Sequence, residues 1–389
     1  MNSIEVKDAH SIQEAIDTLH QQGGGRVSFS PGIYKCGTIY LRSNIELHIP
    51  AGAKILGHSS PEQYDDFPKP DTVRPEGSQK CLIACTDAQN ISITGHGEIN
   101  GQGPEFYDRN VPKGRFYGKP HHPRPRMMQL FNCRNVTLKD ISLIDSPGWT
   151  CWLIGCTNVS IDRITIRGDQ QMINNDGIDL DGCSDVRISN CSFQTGDDCL
   201  VLRAIRRDAT SHFVCEKVLV DNCTLDSRCQ GVRLGCPSDD TIRNCAFRNI
   251  IFNGHGAGIN CNNPYRYLRK NCTGYLSISN IVFSNWQVTS ARTAISINVE
   301  DGIELRAIRD IAFENFKIQS KQPIQLLGTA NVCLENISFR NIHGTIENGS
   351  PIQAQFVSNL SLNDVTLSAK TGASSPFIRL ESNSWESKF

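Results

Sequence analysis

Short stretches of alternating apolar and polar residues recur along most of this chain. They begin at Val136 (VTLKDISL), Val159 (VSIDRITI), Val186 (VRISNCSF), Val218 (VLVDNCTL), Asp240 (DTIRNCAF), Leu276 (LSISNIVF), Arg306 (RAIRDIAF), Val332 (VCLENISF) and Leu360 (LSLNDVTL), at steps of 22 to 36 residues. Alternation with period two marks strands with one buried face. Regular recurrence marks stacked units, each covering its neighbour's apolar face. The fifth position holds Asp140, Asn190, Asn222, Asn244, Asn280, Asp310, Asn336 and Asp364, and Arg163 is the one departure. Asn and Asp tolerate left-handed backbone and bond to nearby backbone groups. The column therefore predicts a bend at the same place in every coil. The expected fold is all-β, a right-handed parallel β-helix. Leucine-rich repeats are more regular in length, helical repeats carry fewer β-branched residues, and a two-sheet sandwich lacks columns at fixed phase.

The ends agree with a stack. Ser11-Ile12-Gln13-Glu14 has the form of a capping box, and Ile12, Ala15, Ile16 and Leu19 make an apolar stripe. A helix over residues 11–20, stopped by Gly23-Gly24-Gly25, would cover the open first coil, so residues 1–25 form a cap. Residues 57–80 and 102–126 carry Pro, Gly and charge without periodicity, and are expected to project as loops. A length of 389 residues suggests two or three domains, but the repeats predict one domain over 1–389.

A net charge of −1 gives no global field for nucleic acid or a membrane surface. No apolar run is long enough to span a bilayer, and no signal-peptide core stands at the N-terminus, so a cytoplasmic location is expected. The seventeen cysteines raise the question of disulfides or zinc. Cys133, Cys156, Cys183 and Cys215 each lie three residues before a repeat start, and Cys191, Cys223 and Cys245 each lie five after one. Constant phase predicts small inward-facing residues, reduced and packed as hydrophobes. No CxxC pair supports zinc, and no metal or cofactor is expected.

Chemistry concentrates in Asn174-Asn175-Asp176-Gly177-Ile178-Asp179 and in Gly196-Asp197-Asp198-Cys199. Asp176 and Asp197 are about one coil apart, and coils stack at ~4.8 Å. Carboxylates brought together split their acidities, supplying an acid for a leaving oxygen and a base for water. Grouped carboxylates equally suit a calcium ion. Asp179 and Asp181 alternate with Ile178 and Leu180, as solvated strand positions would.

Asn174-Asn175-Asp176 resembles the Asn-Thr-Asp motif of glycoside hydrolase family 28, and Gly196-Asp197-Asp198-Cys199 matches that family's Gly-Asp-Asp-Cys. Similar to its bacterial members are Gly23–Val27, Pro31–Tyr34, Ser43–Leu47, and Arg124-Pro125-Arg126 leading to Asp145-Ser146-Pro147-Gly148-Trp149. The resemblance runs from about residue 10 to beyond 300. It implies a pectin-lyase-like solenoid and single-displacement hydrolysis with inversion. Asp197 would be the general acid, and Asp176 and Asp198 would hold and activate water. Inversion requires carboxyl groups ~6.5–9.5 Å apart.

The departures bear on specificity. Where polygalacturonases of the family have Gly-His-Gly, this chain has Cys229-Gln230-Gly231, and where they have Arg-Ile-Lys it has Gly258-Ile259-Asn260. Gly254-His255-Gly256 lies on the later coil and reads as a coincidental tripeptide. Rhamnogalacturonan hydrolases of the family also lack that histidine.

Coil spacing brings Trp149, Asp176, Asp197, Gln230, Arg233 and His255 onto consecutive turns that would line one groove, and Asn174 and Asn260 are further candidate substrate contacts. Trp149 offers either a face for a sugar ring or ordinary packing, and Arg233 either a substrate contact or a partner for an aspartate. His255 stands where lost polar contacts could be replaced. Tyr265, Arg266, Tyr267, Arg269 and Lys270 form a basic, aromatic loop that either contacts an acidic sugar or is simply solvated. The leading reading is a glycosidase acting on a pectin-type oligosaccharide or polysaccharide, without ordinary polygalacturonase specificity, and acting from the chain end if the loops close the groove. A β-helical lyase or epimerase, and a non-catalytic carbohydrate-binding relative, are the alternatives. The sequence leaves the oligomeric state open.

Overall fold

The computed structural model describes residues 2–67, 79–120, 123–206, 212–268, 275–303 and 305–370, and the backbone of 378–380. The chain is a right-handed parallel β-helix with one described α-helix. It divides into two compact units, the first ending at Asp197 and the second beginning at Asp198.

In the first unit, Gln89–Thr94, Arg134–Lys139, Thr157–Asp162 and Ser184–Ser189 pair in parallel, each strand one coil beyond the last. The register sets Val136 on Val159 on Val186, and Leu138 on Ile161 on Ile188. These inward columns are buried throughout. A second run stacks Cys81–Thr86, Arg126–Phe131, Cys151–Ile154 and Ile178–Asp181. The helix Ser11–Gln21 buries Ile12, Ala15, Ile16 and Leu19 against Ser3–Val6 and Gly25–Phe29.

The capping box does not form. Ser11 is already helical, and its backbone N–H donates to Asp8 Oδ1 at 3.0 Å. A Ser-x-x-Glu string marks a helix start only when the Ser itself lies outside the helix. At the other end Gly24 takes φ 125° and donates to Leu19 O at 2.8 Å. A Cβ there would lie 2.5 Å from Asn44 Cβ, so only glycine fits.

In the second unit, Cys215–Ser227, Thr241–Gly254, Ser277–Thr293, Ala307–Gln322, Leu334–Ile346 and Val357–Ala369 stack in parallel. Inside, Phe247, Phe283, Phe313 and Phe339 stack with centroids 4.9, 5.3 and 4.9 Å apart. Outside, Asn249, Asn285, Asn315 and Asn341 form an amide ladder, each donating to the one before. The ladder satisfies the side chains that a bend leaves at the surface.

Every fifth-position residue has left-handed backbone, Arg163 included at φ 51°, with its guanidinium bonded to Asp140. They fall into two columns, however. Lys217 and Asn222, Asn244 and Asn249, Asn280 and Asn285, Asp310 and Asn315, Asn336 and Asn341, and Asn359 and Asp364 all have positive φ. Each coil thus bends twice, five residues apart. The two bends look alike in sequence, so the alignment of Val218 with Asp240, and of Val332 with Leu360, slips by five. In the true register Cys215 pairs with Ile242 and Leu334 with Val357. Cys223 accordingly lies beside Ile250 rather than Cys245.

The described cysteines are all free. The thiols of Cys85, Cys133, Cys156 and Cys183 donate to the backbone carbonyls of Leu41, Phe131, Leu130 and Leu153 at 3.3–3.4 Å. Burial pushes the thiols of Cys81, Cys245 and Cys261 up to about 12, so they stay protonated and pack as small apolar groups.

Candidate active site

The two motif loops of the first unit are locked together by side chains. Asn175 Oδ1 accepts from the backbone N–H groups of Gly196 (2.9 Å) and Asp197 (3.2 Å), while its Nδ2 donates to Asp169 O at 3.1 Å. Gly196 is required here, since a Cβ would come within 2.1 Å of Met172 O. Asn174 is left-handed at φ 56°, and its backbone N–H donates to Asp197 Oδ2 at 3.1 Å. Asp176 is 3% exposed, and its backbone carbonyl accepts from Thr150 N at 2.9 Å. The Thr195 hydroxyl donates to Asp197 O at 2.5 Å, completing the turn.

Behind these loops lies a buried polar cluster. Arg124 donates through Nη1 to Pro147 O (3.0 Å), to Ile173 O (2.7 Å) and to the Tyr107 hydroxyl, and through Nη2 to Asn174 Oδ1 (3.0 Å). Burial pushes the Tyr107 hydroxyl up to about 12, with Arg124 opposing and the charges of Asp197 and Asp176 adding to the rise. Tyr107 thus stays a donor at neutral pH.

In the second unit, Asp198 is 1% exposed. Its Oδ1 accepts from Gln230 N at 3.0 Å, and its Oδ2 pairs with Arg233 Nη1 at 3.1 Å. Arg233 Nε donates to Asn262 Oδ1 at 3.1 Å, and Gln230 Oε1 accepts from Ala257 N at 2.8 Å. A buried carboxylate satisfied on both oxygens by a backbone N–H and a guanidinium is stable as an anion.

A protein-family model described as glycosyl hydrolases family 28 matches residues 70–215. A solved exopolygalacturonase from Thermotoga maritima superposes with a TM-score of 0.74 at 25% identity, covering 93% of this chain and 92% of that one. Over residues 70–215 the chain is similar to the family 28 glycosyl hydrolases. A probable polygalacturonase of Vitis vinifera is 28% identical over 51% of this chain and 42% of its own length. An endo-polygalacturonase of Pectobacterium carotovorum subsp. carotovorum is 26% identical over 50% and 51%. The chain thus spans about half the length of these two relatives.

The other expected residues are placed as follows. Trp149 is 3% exposed, packed edge-on against Trp152 at 5.1 Å with the Arg126 guanidinium 4.8 Å from its ring, an arrangement of packing. His255 is exposed, its backbone N–H donating to Ser227 O. Asn260 Oδ1 has no hydrogen-bond partner among the described residues. Arg266 is exposed and lies over the Tyr267 ring at 4.7 Å, whereas Arg269 and Lys270 lie outside the described residues. Asp179 and Asp181 are not solvated strand positions. Both are 0% exposed, because all four residues of Ile178–Asp181 are covered. Alternation identifies the outer face of a strand but not what lies on it. Sequence reading also missed Tyr107 and the Arg124 cluster, for which the Arg124-Pro125-Arg126 string was the one signal.

Proposed function

We propose that this chain is a family 28 enzyme, an inverting O-glycosyl hydrolase of pectin-type oligosaccharides, acting from the chain end. The observation that carries the reading is the Asn174 N–H held on Asp197 Oδ2 while Asn175 pins the backbone of the same turn. That contact fixes the orientation of the Asp197 carboxyl, as a general acid that protonates a leaving oxygen requires. The carboxylates of Asp176 and Asp198 serve as the base for water. With Gly258 and Asn260 in place of the Arg-Ile-Lys cations and Arg233 committed to Asp198, Arg266, exposed over the Tyr267 ring, is the proposed contact for a substrate carboxylate.

The test is a product analysis on defined pectic oligosaccharides, followed by proton NMR of the first-formed anomer. Inverted configuration, with Asp197→Asn slowed about 10²–10⁴-fold at unchanged melting temperature, is the expected result. Unchanged turnover in Asp197→Asn, or an unsaturated product such as a lyase makes, would overturn the reading.

A further inference from the structure

We infer that Arg124 is a positioning residue that acts through Asn174 to set the geometry of Asp197. The inference rests on the reading of Asp197 as the acid. Arg124 is 5% exposed, so its charge is not offered to solvent. Its planar fork meets four acceptors from three segments: the Tyr107 hydroxyl, the Pro147 carbonyl, and the Ile173 carbonyl and Asn174 side chain. Guanidinium provides five donors in fixed directions, and no other side chain spans this set.

The Tyr107 hydroxyl bonds to the same Pro147 and Ile173 carbonyls, at 3.0 and 2.7 Å. The single Tyr107 hydrogen keeps one of those carbonyls paired when Arg124 is removed, and the removal withdraws the Arg124 contact from Asn174 Oδ1. Asn174 sits in the left-handed region at φ 56°. The direction of its backbone N–H, and so its aim at Asp197 Oδ2, follows from that conformation. Loosening the Asn174 side chain lets the N–H swing and the Asp197 carboxyl turn away from its set orientation. A misplacement of about 1 Å in a reacting group costs about 10²-fold in rate.

The experiment compares wild type, Asp197→Asn, Arg124→Ala and Asn174→Gly in steady-state kinetics on one cleaved oligosaccharide, with melting temperatures alongside. Asn174→Gly keeps the left-handed backbone but removes the link, and covers the case in which Arg124→Ala does not fold. Expected are a fall in kcat of about 10²-fold with KM nearly unchanged, partial recovery of Arg124→Ala by millimolar guanidinium, and no further loss when either change is added to Asp197→Asn. Wild-type kcat in a folded Asn174→Gly, a rise in KM alone, or a full additional loss in the Asp197→Asn background would overturn the inference while leaving Asp197 as the acid. Full activity in Asp197→Asn would sink the acid assignment and this inference together.

Discussion

Arg233 Nη1 lies 3.1 Å from Asp198 Oδ2, with 15% of the arginine side chain and 1% of the aspartate side chain exposed. Arg233 stands on the coil on which the family's polygalacturonases carry a histidine, and Asp198 on the coil before it. The arginine neutralises one of the motif carboxylates, and its Nε is spent on Asn262.

Breaking the pair should cost more than the pair is worth. Arg233→Met leaves a buried carboxylate without its counter-charge, a loss of about 3–5 kcal/mol. Adding Asp198→Asn should restore much of it, because the neutral amide carries no charge to strand. Urea unfolding of the single and double variants gives the coupling directly. Equal stability of Arg233→Met and wild type would show the contact to be incidental.

Substrate preference follows from the same commitment. A charge-assisted hydrogen bond to a carboxylate contributes about 1.5–3 kcal/mol. Gly258 and Asn260 stand where two cations are missing, and Arg233 is engaged elsewhere. Plain oligogalacturonates should therefore be poor substrates beside mixed rhamnose–galacturonate oligosaccharides, by about a hundredfold or more in kcat/KM. Faster cleavage of plain oligogalacturonates would refute the assignment of Gly258 and Asn260 as a specificity change.

Asp145→Asn should stabilise the fold at neutral pH. Burial raises the Asp145 carboxyl above its ordinary 3.8, the Asp169 N–H and Arg167 oppose the rise, and the charges of Asp169 and Glu98 add to it. A raised carboxyl pKa favours the folded state only at low pH, and that contribution is lost as pH rises through the folded value. Asparagine carries no such charge, still accepts from Asp169 N, and suits the left-handed φ of 48°. The gain in melting temperature should be present at pH 7 and vanish below the ordinary carboxyl range. A gain independent of pH would assign it to backbone conformation alone.

The helix start offers a simpler contrast. Asp8→Ala removes the acceptor of the Ser11 N–H and should cost about 0.5–2 kcal/mol. Glu14→Ala should cost little, since no capping box is present. The reverse order in thermal unfolding would reinstate the box.

The sequence by itself determined the stack. Period-two alternation, Asn and Asp bends and small cysteines at fixed phase are properties of one coil, repeated, and each is a local preference that neighbouring coils reinforce. The buried free thiols were legible for that reason, the helix over Ile12–Leu19 from its own apolar stripe, and the Asn174–Asp176 and Gly196–Asp198 loops from their clustered carboxylates and motif resemblance. What only the tertiary structure decided was register and cover. Two equivalent bends five residues apart left Cys223 and Cys245 in one apparent column until cross-strand pairing separated them. Asp179, Asp181 and Trp149 sit on an outer strand face or turn that sequence reads as open, and burial closed it. Arg124 reaches Asn174 across 50 residues, and Arg233 reaches Asp198 across 35. Such pairings depend on which coils stack and how far a side chain extends between them, and no local pattern along the chain encodes either.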